Sequence, residues 1–142
     1  MLDFVHFTEL YLFFLSFSFH GIIFQNEFFR DLSQAKHSVV ISATKLWFAK
    51  HSPTLDILRN LSTRGVEVIA LIKSNFEKEE RLRKIGVSIK INDALAIDVA
   101  IIDKSLIWYG SVNYLGYNTD ENNAIRIYDS ALAEIVLEVL YT

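Results

Sequence analysis

Three short apolar segments separated by capped helices constrain the fold of this chain more than any other feature. The segments are uncharged or nearly so and rich in β-branched residues, as buried strands are: "SVVISA" (38–43), "VEVIALI" (66–72) and "VSIKI" (87–91). Residues typical of helix starts and stops stand between them: Ser52-Pro53, Gly65, Asn75 and Gly86. Alternating strands and helices favour crossover connections. We therefore predict an α/β fold, a layered domain with a central, mostly parallel mixed sheet flanked by helices.

The remaining elements surround this unit. Asn26 is predicted to cap a helix through "EFFRDLSQAK", and "AIDVAIID" and "LIWYG" are predicted to form a hairpin closed by Asp103-Lys104-Ser105. "NAIRIY" (123–128) reads as a further strand. Asp129 is predicted to cap a last helix whose inward face holds Ile135, Val136, Val139 and Leu140.

Length and charge limit the function only broadly. The chain has 142 residues, which suits one folded domain with its own core, and a net charge of −3, which gives no general argument for nucleic acid or an anionic membrane. Local basic clusters remain compatible with that charge. The sequence has no cysteine, which fits a reducing compartment, so we expect a cytoplasmic protein. It contains no phosphate loop and no zinc-ligand spacing, and we expect no cofactor and no metal.

The first part of the chain differs in composition from the rest. Nine of the eleven Phe residues lie within residues 1–29, and no Lys or Arg precedes Arg30. We divide the chain into an apolar segment, 1–22, and a domain, 23–142. Polar residues at helical spacing favour a helix in the segment, whereas the alternation over residues 15–20 would suit a strand. Its apolar surface must be covered by the chain itself, by a partner protein or second copy, or less readily by peripheral membrane contact.

One stretch, "IIDKSLIWYGSVN" (101–113), together with the strand and helix order, resembles the phospholipase D-like superfamily over about residues 23–141. The nearest form is the single-signature domain at the C-termini of some helicases and in stand-alone nucleases. The family signature is HxKxxxxD followed by GSxN. Its aspartate falls on Asp103, and its second part falls on Gly110, Ser111 and Asn113. The histidine position falls on Ala96 and the lysine position on Asp98.

The resemblance implies phosphodiester cleavage by paired histidines, with lysine holding the phosphate. Alanine supplies no nucleophile, and an aspartate places the wrong charge beside a phosphate. We therefore expect a degenerate, inactive domain that binds a partner or dimerises, since single-signature relatives resemble half-sites that pair. The retained residues, Asp103, Gly110, Ser111 and Asn113, serve either local backbone structure or a residual anion pocket.

Two other functions stay open. An active phosphodiesterase or nuclease with an unorthodox site would need His37 or His51 near Ser111 and Asn113. A nucleic-acid-binding accessory domain would use Lys45, Trp47 and Lys50, because aromatic rings stack on bases and lysines contact phosphates.

Overall fold

The computed structural model describes residues 18–116, 118 and 121–142, which form one mixed sheet with helices on both faces. The strands are β1 Ser18–His20, β2 Ser38–Ala43, β3 Glu67–Ile72, β4 Ser88–Ile91, β5 Val99–Ile102, β6 Leu106–Gly110 and β7 Asn123–Tyr128. The helices are α1 Gly21–Ser33, α2 Pro53–Thr63, α3 Phe76–Lys84 and α4 Ser130–Tyr141.

The seven described strands lie in the order β1-β7-β6-β5-β2-β3-β4. Pairs β2–β3 and β3–β4 are parallel, and the other four neighbouring pairs are antiparallel. The mixed sheet is confirmed, but the expectation that it is mostly parallel is wrong. Helical crossovers connect β2, β3 and β4, whereas β5 and β6 form a hairpin, and the described residues between β6 and β7 form no helix.

The helix caps follow the sequence in three of four cases. The side chains of Ser52, Asn75 and Asp129 each accept a hydrogen bond from the backbone N–H three residues later. The fourth prediction, that Asn26 caps the first helix, is wrong. Helix α1 begins at Gly21, and Asn26 lies inside it, because apolar residues at four-residue spacing, beginning with Phe24, extend the buried face of α1 toward its start.

The N-terminal segment is described only from Ser18 onward. Residues Ser18–His20 form a strand that pairs with β7, in keeping with the alternating pattern rather than the favoured helix. The helix prediction for residues 1–17 lies outside the described residues. The division of the chain at 22/23 stays a prediction; the described residues on its N-terminal side belong to β1 and α1.

The two faces of the sheet are covered unequally. Helices α1, α2 and α3 contribute to the larger core, in which Leu58, Leu61 and Trp108 are fully buried. In the described part of the chain, the other core is closed by α4, through Ala133 and Leu140. None of the described helices is long and apolar enough to cross a bilayer.

The prediction for the inward face of α4 is half wrong. Leu140 is buried and Val136 half-buried, but Ile135 and Val139 are 57% and 62% exposed. The buried stripe of α4 runs through Leu132, Ala133, Val136 and Leu140. Ile135 and Val139 lie at the edge of this buried face of α4, so their side chains remain largely exposed to solvent.

A buried carboxylate joins α1 to the sheet. Asp31 is 6% exposed and accepts a hydrogen bond from Nε1 of Trp108 at 2.9 Å and one from Nε of Arg126 at 2.7 Å. The hydrogen bond to Asp31 raises the pKa of Arg126, partly offset by burial, and the negative charge of Asp31 raises it further. Helix α1 is thereby tied to both β6 and β7.

Candidate functional site

The Gly-Ser-x-Asn corner follows β6, and its first half joins β6 to β7. The backbone N–H of Ser111 donates to the carbonyl of Asn123 at 2.9 Å, and the Ser111 hydroxyl accepts from the Asn123 N–H at 3.1 Å. A Cβ on Gly110 would collide with the Asn123 carbonyl and with Ala124. Close packing against β7 therefore explains why a glycine stands at position 110, and the Ser111 hydroxyl is used in hydrogen bonding to β7.

Asn113 connects the corner to the loop after β2. Its Nδ2 donates to the carbonyl of Trp47 at 2.9 Å, and its Oδ1 accepts from the Leu115 N–H at 3.0 Å. The backbone N–H of Asn113 donates to Oδ1 of Asn118 at 2.7 Å. The family resemblance implies that the Asn113 side-chain amide would contact a phosphate. In this structure the amide hydrogen-bonds to the backbone of Trp47 and Leu115 instead.

Asp98, at the lysine position of the signature, binds the same loop. One of its carboxylate oxygens accepts from the Thr44 N–H at 2.7 Å, and the other accepts from the Thr44 hydroxyl at 2.9 Å. Asp98 is half-buried, and Ala96, at the histidine position, is exposed. Both residues precede β5, although the sequence placed them inside a strand. The hydrogen-bond donor to Asp98 is Thr44, a residue that the sequence analysis did not single out.

Asp103 lies at the opposite end of β5 from Asp98, about 16 Å away by the strand rise over the five steps from residue 98 to residue 103. Its carboxylate accepts from the backbone N–H groups of Lys36, His37 and Ser38 at 2.7–3.1 Å. Burial acts to raise the pKa of Asp103, but these backbone hydrogen bonds outweigh it and the pKa is lowered. The structure therefore separates Asp103 from the other signature residues.

The loop between β2 and α2 exposes the three residues proposed to contact nucleic acid. Trp47 is 67% exposed, and Lys45 and Lys50 are exposed on either side of it. Phe48 is buried beneath them, and Arg81 of α3 donates to the Lys50 carbonyl at 3.1 Å. The loop is thus anchored at Phe48 and presents its ring and charges outward.

The described histidines occupy three different places. His37 precedes β2, at the end of the sheet where Asp103 lies, about 23 Å from Thr44 by the strand rise over the seven steps from residue 37 to residue 44. His51 is exposed in the loop that contains Trp47. His20 ends β1 opposite Asn123, beside the corner, a proximity that the sequence analysis did not foresee. Within the described residues, no three metal-ligating side chains lie together.

Tyr114 lies under the corner. It is 1% exposed, and its hydroxyl has no hydrogen-bond partner among the described residues. Burial raises the pKa of Tyr114 strongly, and the negative charge of Asp98 raises it further, so the phenol stays neutral. Tyr114 also borders a cavity of about 350 Å³ between α1, the start of α2 and the corner. The amides of Asn113 and Asn118 that line this cavity are already hydrogen-bonded.

Solved structures share this arrangement of strands and helices. Nuc from Salmonella typhimurium, a phospholipase D family member, matches with a TM-score of 0.68 at 20% identity, covering 82% of this chain and 84% of that one. NucT from Helicobacter pylori matches with a TM-score of 0.70 at 17% identity, covering 87% and 91%. The chain has a phospholipase D-like fold.

A third neighbour is larger. TrmBL2, an archaeal chromatin protein whose structure is described as showing a novel mode of DNA binding, matches this chain with a TM-score of 0.64 at 13% identity. The match covers 87% of this chain and 49% of that protein. No protein-family model matches the sequence, and no curated protein sequence matches it significantly. At these identities the likeness extends to the fold alone.

Proposed function

We propose that the chain is a catalytically inactive phospholipase D-like domain that works as a binding module. The observation that carries this proposal is the bonding of Asp98. A lysine at this position would offer a positive charge to a phosphate, whereas Asp98 offers a negative charge and bonds to Thr44. Two negative charges about 4 Å apart repel by about 1–4 kcal/mol at dielectric constants of about 80 to 20. Binding a phosphodiester against Asp98 is thus unfavourable.

The histidine position supports the same proposal. Ala96 has no group that attacks phosphorus, and Ser111 and Asn113 hydrogen-bond to neighbouring backbone. His37 lies at the far end of the sheet. Among the described histidines, an active site of unorthodox composition would therefore have to use His51, exposed in the loop held by Asn113, or His20, which lies opposite Asn123 beside the corner.

A hydrolysis assay tests inactivity. The purified chain is incubated with bis(p-nitrophenyl) phosphate and with a fluorescently quenched DNA strand, beside His20→Gln, His51→Gln and Asn113→Ala variants. We expect all four proteins to match the buffer blank. A rate above the blank in the unchanged chain contradicts inactivity, and its loss in any of the variants favours the phosphodiesterase or nuclease alternative.

A single-stranded nucleic acid is the ligand that the loop between β2 and α2 favours. Trp47 is exposed between two lysines, and TrmBL2, which has a similar fold, is described as binding DNA. Stacking of one base on a tryptophan contributes about 1–3 kcal/mol, so Trp47→Ala should weaken binding roughly 5- to 150-fold. Anisotropy of a labelled DNA strand at low salt measures this. The control, Lys104→Ala at the distant hairpin turn, should bind as the unchanged chain does. No binding by the unchanged chain removes the nucleic-acid candidate.

The module is also proposed to be a homodimer, because the resemblance is to single-signature half-sites that pair. Light scattering at high concentration should then give twice the chain mass of 16.4 kDa. A single 16.4 kDa species would end this part of the proposal.

A further inference from the structure

An apolar groove runs beside α4 on the less covered face of the sheet. It encloses about 280 Å³ and is lined by side chains of the sheet, the preceding loop and α4, none of them charged: Ile97, Val99, Ile107, Tyr109, Ile127, Leu132, Ile135, Val136 and Val139. Three of them are largely open to solvent, with Tyr109 48%, Ile135 57% and Val139 62% exposed. So much open apolar surface in one groove is typical of a surface that another segment covers.

Residues 1–17 have a composition that suits this groove. Twelve of the seventeen are apolar, five of these are Phe, and the segment holds no Lys or Arg. Its charged side chains are Asp3 and Glu9, which with His6 recur every three residues. On a helix these three would share one face and leave a broad apolar face for contact.

The pairing of β1 places the end of this segment beside the groove. Ser18 lies opposite Ile125, Ile125 opposite Tyr109, and Tyr109 opposite Val99. Residues paired directly across a sheet share a face, so Ser18 lies on the face that carries the groove. Because β1 is antiparallel to β7, the chain enters β1 from the side of Ile127, which lines the groove.

The distance is short for a segment of this length. Four neighbouring strands, β1, β7, β6 and β5, span about 14 Å at a spacing of about 4.8 Å. Seventeen residues reach about 25 Å as a helix and about 56 Å when extended. A tether this short keeps the segment at a high effective concentration near the groove of its own chain, about millimolar, which favours it over a second copy.

We propose that residues 1–17 cover the groove beside α4 within their own chain. The Phe side chains of the segment pack on Ile135, Val139 and Tyr109, and the face bearing Asp3, His6 and Glu9 is left to solvent. The proposed homodimer then uses another surface.

Nitroxide labels test this contact, since the chain has no cysteine and each label has one site. One label is placed at Glu138→Cys, next to Val139 on α4, and a control label at Arg59→Cys, exposed on α2 of the opposite face. Amide signals of residues 1–17 are recorded in the full ¹⁵N-labelled chain. We expect the label at position 138 to broaden them and the label at position 59 to leave them sharp. Adding Ile135→Asp should reduce the broadening to the control level.

A mixed sample separates the chain's own segment from that of a second copy. Chain that is ¹⁵N-labelled but carries no nitroxide is combined with ¹⁴N chain that carries the nitroxide at position 138. With equal amounts of the two chains, a segment that reaches a second copy meets a nitroxide in half of the pairs. Broadening of half or more of that seen when the ¹⁵N chain itself carries the nitroxide would therefore overturn the proposal. Absence of broadening in both samples, or broadening that Ile135→Asp does not reduce, would overturn it too.

Discussion

Replacing Asp31 with alanine should destabilise the fold by about 1–4 kcal/mol. The substitution leaves Nε1 of Trp108, a fully buried side chain, without its acceptor, and an unsatisfied buried donor costs about 1–3 kcal/mol. It also removes the partner of Arg126, whose side chain is 34% exposed. Water can hydrate that charge, so the lost pair adds about 1 kcal/mol or less. For a chain of this size the total corresponds to a fall in Tm of about 3–15 °C.

Urea unfolding followed by circular dichroism measures this loss. The matched control is Asp56→Ala, which removes a carboxylate that is 71% exposed and lies 3.8 Å from Arg59. We expect the control to change the free energy of unfolding by less than about 0.5 kcal/mol. Combining Asp31→Ala with Trp108→Phe completes a double-mutant cycle, and the two substitutions should not be additive. A loss for Asp31→Ala no larger than that of the control would refute the reasoning that this carboxylate holds α1 to the sheet.

Three further substitutions test the signature residues by the free energy of unfolding in urea. Asp103→Asn should destabilise the chain at pH 7. Because the pKa of Asp103 is lowered by folding, its stabilisation is present above about pH 4 and is lost as the pH falls through the folded value, so the difference should shrink there. Gly110→Ala should cost about 1–3 kcal/mol through the collision with β7. Asp98→Ala should cost about 1–2 kcal/mol by releasing Thr44 and should create no hydrolytic activity.

Each of these has an outcome that would contradict it. A stability difference for Asp103→Asn that stays constant from pH 7 to pH 3 would remove the carboxylate's charge as the cause. Gly110→Ala is compared with Ser111→Ala, which loses the two hydrogen bonds between the Ser111 hydroxyl and the Asn123 backbone. A loss of stability for the glycine variant that is equal to or smaller than that of Ser111→Ala argues against close packing. An Asp98→Ala variant as stable as the unchanged chain would mean that the Thr44 contacts contribute nothing.

The sequence predicted those elements whose signals are local. The hairpin turn at Asp103 and the caps at Ser52, Asn75 and Asp129 depend on residues within a few positions of each other, and the structure confirms them. The start of α1 was misplaced because Asn26 is a good cap residue in isolation. Packing of Phe24 against Trp108 and Tyr114 outweighs that local preference.

The long-range contacts left no signal in the sequence. Asp31 reads as one acid in a polar turn of helix, and its partners Trp108 and Arg126 lie 77 and 95 residues away. The same holds for Asp98, whose partner Thr44 is 54 residues away. The family resemblance placed Asp98 at the position of the signature lysine, but only the folded chain shows that its carboxylate hydrogen-bonds to the backbone of Thr44.

The placement of Asp98 and Asp103 bears on how this sheet opens. Strands β2, β3 and β4 with their helices form one local unit, and β5, β6 and β7 form another, joined in the sheet through the β2–β5 pair. Asp103 accepts hydrogen bonds from the residues just before β2, and Asp98 accepts them from Thr44, just after β2. The two carboxylates therefore hold β2 to β5 at both ends of the pair. Sub-global opening that separates the two units must break the hydrogen bonds of both Asp98 and Asp103. In native-state hydrogen exchange, loss of either aspartate should therefore lower protection along β2 and β5 before it does so within either half.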